Sequence, residues 1–92
     1  MSDSKPPDDA LLEFPCRFPI KVVGRATEGF EEFVVAIVER HAGRDEEIVV
    51  KSRLSRDGNY VAVTCAFLAD SRAQVDGLYA ELSGHDRILM VL

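Results

Sequence analysis

A chain of 92 residues, 47% hydrophobic and 29% charged, is long enough for one two-layer core, and its composition excludes both a disordered polymer and a disulfide-dense scaffold. Its formal net charge of -5 argues against sequence-independent binding to nucleic acid or to an anionic membrane, which needs clustered Lys and Arg. Two cysteines, Cys16 and Cys65, with neither a CxxC pair nor histidines at ligand spacing, point to reduced and largely buried thiols, with no metal and no cofactor expected.

Residues 1–10, MSDSKPPDDA, combine Pro6-Pro7 with three aspartates and are expected to be a disordered tail ahead of a single domain over 11–92. The same stretch lacks the apolar centre of a secretion signal, and no run approaches the roughly 18 apolar residues of a membrane span. The expected address is the cytoplasm. Leu11, Leu12 and Phe14 are expected to pack on the domain's edge, with Pro15 and Pro19 keeping this stretch extended.

From Arg17 to Gly24, Phe18, Ile20 and Val22 alternate with Arg17, Pro19 and Lys21, the period-2 mark of a half-buried strand. Thr27 is the expected N-cap of a helix over 28–42, whose Phe30, Phe33, Val34, Ile37, Val38 and His41 form one stripe. Gly43 is its expected left-handed stop. Ile48 to Leu54 and Tyr60 to Leu68 read as antiparallel strands around Asp57-Gly58, a signal for a type I′ turn. Ser71 with Gln74 resembles a capping box, opening a helix whose stripe is Val75, Leu78, Tyr79 and Leu82, and Gly84 ends it. Arg87 to Leu92 is the last strand.

The order strand, helix, strand, strand, helix, strand predicts an α+β fold, a ferredoxin-like βαββαβ sandwich. Its antiparallel sheet has the expected order 4-1-3-2, with both helices on one face. Strand alternation then sends Lys21, Val23, Val49, Lys51, Arg53, Tyr60, Ala62 and Thr64 to the opposite face, which is mixed but locally basic. Helix one and its following loop carry much of the acid, so charge is segregated despite the acidic total.

Three segments, LLEFPCRFPIKVVG (Leu11 to Gly24), DGNYVAVTCAF (Asp57 to Phe67) and LYAELSGHDRILMVL (Leu78 to Leu92), resemble the YbeD-like family of small bacterial proteins of unknown function. The resemblance covers about residues 11–92. It implies the same ferredoxin-like fold, similar to the ACT domains that sense small molecules in amino-acid metabolism, and a connection with lipoate metabolism. It supplies no active-site residues.

An ACT-like domain would hold a ligand near its first strand-to-helix loop. Here Gly24 permits close backbone approach, Arg25 can pair a carboxylate, and Thr27 stands by the helix start. Gly24 is equally explained as a strand exit and Thr27 as a simple cap. The second candidate is the basic sheet face, with Lys21, Lys51, Arg53 and Tyr60 available to an acidic protein surface or a second copy of the chain. Single-stranded RNA is a weaker alternative, since Tyr60 is the sole aromatic there and the RNA-binding octapeptide is absent. For catalysis, His41 ends an apolar stripe, and His85 beside Asp86 needs only a local hydrogen bond. With Cys16 the more exposed thiol, an enzyme or enzyme-accessory role on His85, Asp86 or Cys16 has no placed nucleophile behind it. The sequence therefore points to a non-enzymatic regulatory or interaction module that binds a small metabolite or a partner protein.

Overall fold

The computed structural model describes residues 13–43 and 47–92. The expected tail 1–10, Leu11, Leu12 and most of the loop after the first helix lie outside the described residues. Strand β1 (Cys16–Arg25) leads into helix α1 (Phe30–Ala42), then β2 (Val49–Leu54), β3 (Tyr60–Ala69), helix α2 (Arg72–Ser83) and β4 (Ile88–Val91). The sheet order is β2-β3-β1-β4 with every neighbouring pair antiparallel, the arrangement the sequence predicts.

The alternation read in the sequence is the alternation that packs. Ile20 and Val22 of β1 pair with Cys65 and Val63 of β3, and all four are fully buried beneath the helices together with Phe67. From α1 come Phe30, Val34, Ile37, Val38 and Ala42, and from α2 Val75, Leu78 and Leu82. The helical stripe is narrower than predicted. Phe33 and His41 are only half-buried, while Ala42 takes the inward place at the helix end. Phe18 meets Phe67 and Tyr79 edge-on, both at 6.4 Å between ring centres, closing the core at the α2 end.

Pro19 costs the sheet little. Lys21 and Leu92 exchange both backbone hydrogen bonds, so the odd residues of β1 direct their polar groups toward β4, and Pro19 lies beyond the β4 register. Its missing N–H therefore falls on a side where no described strand pairs with it.

Several local expectations are corrected. Helix α1 begins at Phe30, not Glu28, and its N-cap is Gly29 at φ 82°, with no side-chain cap. Thr27 is thus not the N-cap; its hydroxyl accepts a hydrogen bond from Arg87, 60 residues along the chain. The β2–β3 turn is not type I′, because Gly58 alone has positive φ there. A wider loop forms instead, closed by Ser55 N–H to Tyr60 O at 2.8 Å and Gly58 N–H to Ser55 O at 3.0 Å. The Asp57 carboxylate organises it by accepting from the Ser55 hydroxyl and from the Asn59 amide. Those bonds, the Asn59 amide first, hold its carboxyl below the usual aspartate value. Gly43 has positive φ but an extended ψ of 147°, so the left-handed stop is not formed, and Ile48 precedes β2 rather than starting it.

At α2 the Ser71 hydroxyl does accept from Gln74 N–H, at 3.1 Å. The box does not close in the usual way. Gln74 accepts from Asp70 N–H and donates from Nε2 to the carbonyl of His41, which ties the start of α2 to the end of α1.

Candidate functional site

The two sites anticipated from sequence separate in space according to strand register. Cross-strand pairing sets Lys21 beside Thr64 and Lys51, and Val23 beside Ala62 and Arg53, all on the face away from the helices. Arg25 is placed differently from expectation. It is the last residue of β1 rather than part of the loop, pairs in register with Tyr60, and holds its guanidinium 5.7 Å from that ring. Arg17, two pairs beyond Lys21, shares the face.

This open face thus carries Arg17, Lys21, Arg25, Lys51 and Arg53, with Tyr60 at one end, and no Asp or Glu occupies any of its strand positions. Among the described residues, no carboxylate forms an ion pair with Lys21, Lys51 or Arg53. Between the cations lie Val23, Ala62 and Val49, with Met90 and Leu92 of the β4 side 51% and 59% exposed. A shallow groove of about 570 Å³ crosses this face from Val23 and Ala62 to Tyr60, Arg53 and Arg56. Arg56, which the sequence reading did not single out, enters because the turn is longer than two residues.

The strand-to-helix site is smaller. A cleft of about 250 Å³ is bounded by Arg25, Thr27, Asp86, Arg87 and Leu89. Arg87 is the residue sequence reasoning missed. Its guanidinium lies 4.5 Å from the centre of Phe33 and 5.7 Å from that of Phe30 while donating to Thr27 Oγ1 at 3.2 Å. Only tertiary placement brings it to this loop. Gly24 is buried and faces protein rather than the cleft. A Cβ there would lie 2.4 Å from Phe30 Cε1 and 2.7 Å from the carbonyl oxygen of Arg87.

The residues weighed for catalysis do not meet. Cys16 pairs with Ala69 at one end of β1, whereas His85 precedes β4 near Gly24, about 25 Å away along the strand. His85 is held by Glu81 at 3.7 Å and stands edge-on to Phe33, with no hydrogen bond to Asp86. Glu81 also binds Arg40 and, at 2.7 Å, His41, so it clamps α2 to α1. The His41 hydrogen bond, then Arg40, hold its carboxyl below the ordinary glutamate value. Cys65 is fully buried, and desolvation, with a smaller contribution from Glu31, pushes its thiol up to about 11. No group of His, Cys, Asp and Glu able to hold a metal occurs among the described residues, and no described helix is long and apolar enough to cross a membrane.

With this geometry in hand, comparison places the chain. A family profile described as "Protein of unknown function (DUF493)" matches residues 9–92. The chain belongs to the DUF493 family. Among its relatives, a UPF0250 protein of Nitrosomonas europaea is 39% identical over 85 residues, covering 92% of this chain and 98% of that one. Another, from Chromobacterium violaceum, is 41% identical over the full length of both. These are small bacterial proteins whose names carry no activity, in agreement with the YbeD-like resemblance. The solution structure of HP0495 from Helicobacter pylori superposes with a TM-score of 0.73 at 16% identity, covering 100% of this chain and 93% of that one. The C-terminal domain of the MgtC protein from Mycobacterium tuberculosis gives 0.63 at 17%, covering 89% of each. At such identities the likeness concerns the DUF493 fold alone.

Proposed function

We propose that this DUF493 protein is a non-enzymatic interaction module that docks an acidic partner protein on the open face of its sheet. One observation carries the reading: a chain of net charge -5 places five cations and no carboxylate on the strand positions of a single face, interleaved with apolar side chains. Such a face attracts an acidic surface and leaves some apolar area to bury on contact. Lys21, Lys51 and Arg53 are its centre, and Tyr60 closes one end. The regulatory role and the connection with lipoate metabolism come from the sequence resemblance, and that pathway is the first place to look for the partner.

The test is capture from the native bacterium on wild-type protein and on the double variant Lys51→Glu, Arg53→Glu, read by mass spectrometry. Proteins retained by the wild type, lost at high salt and lost by the variant support the reading. An identical set on both proteins, or recovery of RNA alone, overturns it.

A small anionic metabolite at Arg25, Thr27 and Arg87 is the second reading. It is supported by Arg25, Thr27 and Arg87 lining one cleft, with Asp86 the acidic residue beside them. Gly24 contributes to it by letting Phe30 and the Arg87 backbone close in behind.

A further inference from the structure

The open face ends at β2, an edge strand whose outer side is paired with no other strand among the described residues. Ser55 gives its amide to Tyr60 O, which fixes the hydrogen-bond phase of the ladder. Val49, Lys51 and Arg53 accordingly turn their backbone groups toward β3. Val50, Ser52 and Leu54 turn three N–H and three C=O groups outward. The helix side of this strand is also thinly covered: Leu54 points the same way as the buried Val22 and Val63 yet is 61% exposed, and Ser52 is exposed, its hydroxyl donating to Glu31 of α1 at 2.5 Å. The opposite edge differs. Strand β4 has four residues and a register break opposite Val23 and Gly24, which twists it away from regular pairing.

Resting on the docking face proposed above, we propose that the partner engages it by strand addition: an extended acidic segment pairs with β2 as a fifth strand. Charge complementarity chooses the occupant. A strand laid along β2 sets alternate side chains beside Lys51 and Arg53 on the open face, where Asp or Glu fits. Its intervening side chains fall beside Val50 and Leu54, where apolar residues fit. A second copy of this chain is the wrong occupant. Two-fold pairing of β2 with β2 runs antiparallel and brings Lys51 and Arg53 of one copy against those of the other, a like-charge contact. Cationic side chains on an edge repel copies of themselves and unselected strands, and that same repulsion becomes selection for a strand bearing carboxylates.

The experiment uses the full chain and, as probe, a capped synthetic octapeptide alternating glutamate and valine, titrated by calorimetry at low salt. Three proteins are compared: wild type, Lys51→Glu with Arg53→Glu, and Ser52→Pro. The last removes one outward N–H while leaving the β2–β3 ladder and every charge in place. The expectation is binding by the wild type, a loss of at least about tenfold with Ser52→Pro, and a larger loss with the charge reversal. Amide exchange on the wild type supplies a reading that needs no variant: the peptide should slow exchange at Val50, Ser52 and Leu54. Binding that Ser52→Pro leaves unchanged, without that slowing, overturns strand addition and leaves face docking standing. Absence of peptide binding by the wild type overturns strand addition, and binding indifferent to charge reversal overturns both.

Discussion

Replacing Gly24 with alanine tests what this glycine is for. The added methyl carbon would sit 2.4 and 2.5 Å from two ring carbons of Phe30 and 2.7 Å from the Arg87 carbonyl oxygen, roughly 1 Å inside ordinary contact on two sides. Phe30 is 2% exposed at the start of α1, and the carbonyl belongs to the backbone entering β4, so neither neighbour yields freely. Overpacking of this kind costs roughly 1–3 kcal/mol. Restricting the unfolded chain returns about 0.4–1 kcal/mol. The net expectation is a destabilisation of about 1.3 kcal/mol. With an unfolding entropy of about 2.1 cal/mol/K per residue, this lowers Tm by about 7 °C in a chain of this length. Thermal and urea denaturation followed by circular dichroism measure it. Adding Phe30→Leu should recover part of the loss as a favourable coupling of about 1 kcal/mol, partial because the backbone carbonyl stays where it is. A Gly24→Ala protein melting within 2 °C of the wild type would refute the reasoning and return Gly24 to the ligand cleft.

Two further outcomes follow from titrating groups. Glu81 and Asp57 have folded-state pKa values below their ordinary 4.5 and 3.8. The stability they contribute is complete above those ordinary values and is lost as pH falls through the lower folded ones. The urea midpoint should therefore fall on the acid side of pH 4.5, and Glu81→Gln should flatten that fall; an equally steep variant would mean that the Arg40–Glu81–His41 clamp contributes nothing. The Cys65 thiol, buried and pushed up to about 11, should be silent to a disulfide reagent at pH 8 in the native protein and react on unfolding in urea, while Cys16, half-buried, reacts first. Prompt native modification of Cys65, located by peptide mapping, would contradict the burial.

The basic open face was legible in sequence because a strand's side chains alternate with period two. Once β1, β2 and β3 are recognised, Lys21, Lys51, Arg53 and Tyr60 fall on one side with no knowledge of contacts, and the observed register keeps them there. The strand-to-helix site was not legible to the same depth. Arg87 reaches it from the other end of the chain, and nothing local to Thr27 indicates that its hydroxyl serves Arg87 instead of the helix. Leu54 reads as an inward residue by alternation. It is exposed because β2 lies at the edge of the sheet, a matter of topology rather than of its neighbours in sequence.

The sequence alone determined the element order, the antiparallel α+β fold, the buried stripe and the segregation of charge, all consequences of local periodicity and turn chemistry acting over a few residues. Tertiary structure decided the rest: that Gly24 makes room for Phe30, that α1 starts at Phe30 with no side-chain cap on Gly29, that Glu81 clamps the two helices, and that β2 is an edge strand among the described residues. Each depends on groups far apart in the chain being brought within a few ångströms, and no local pattern encodes such distances.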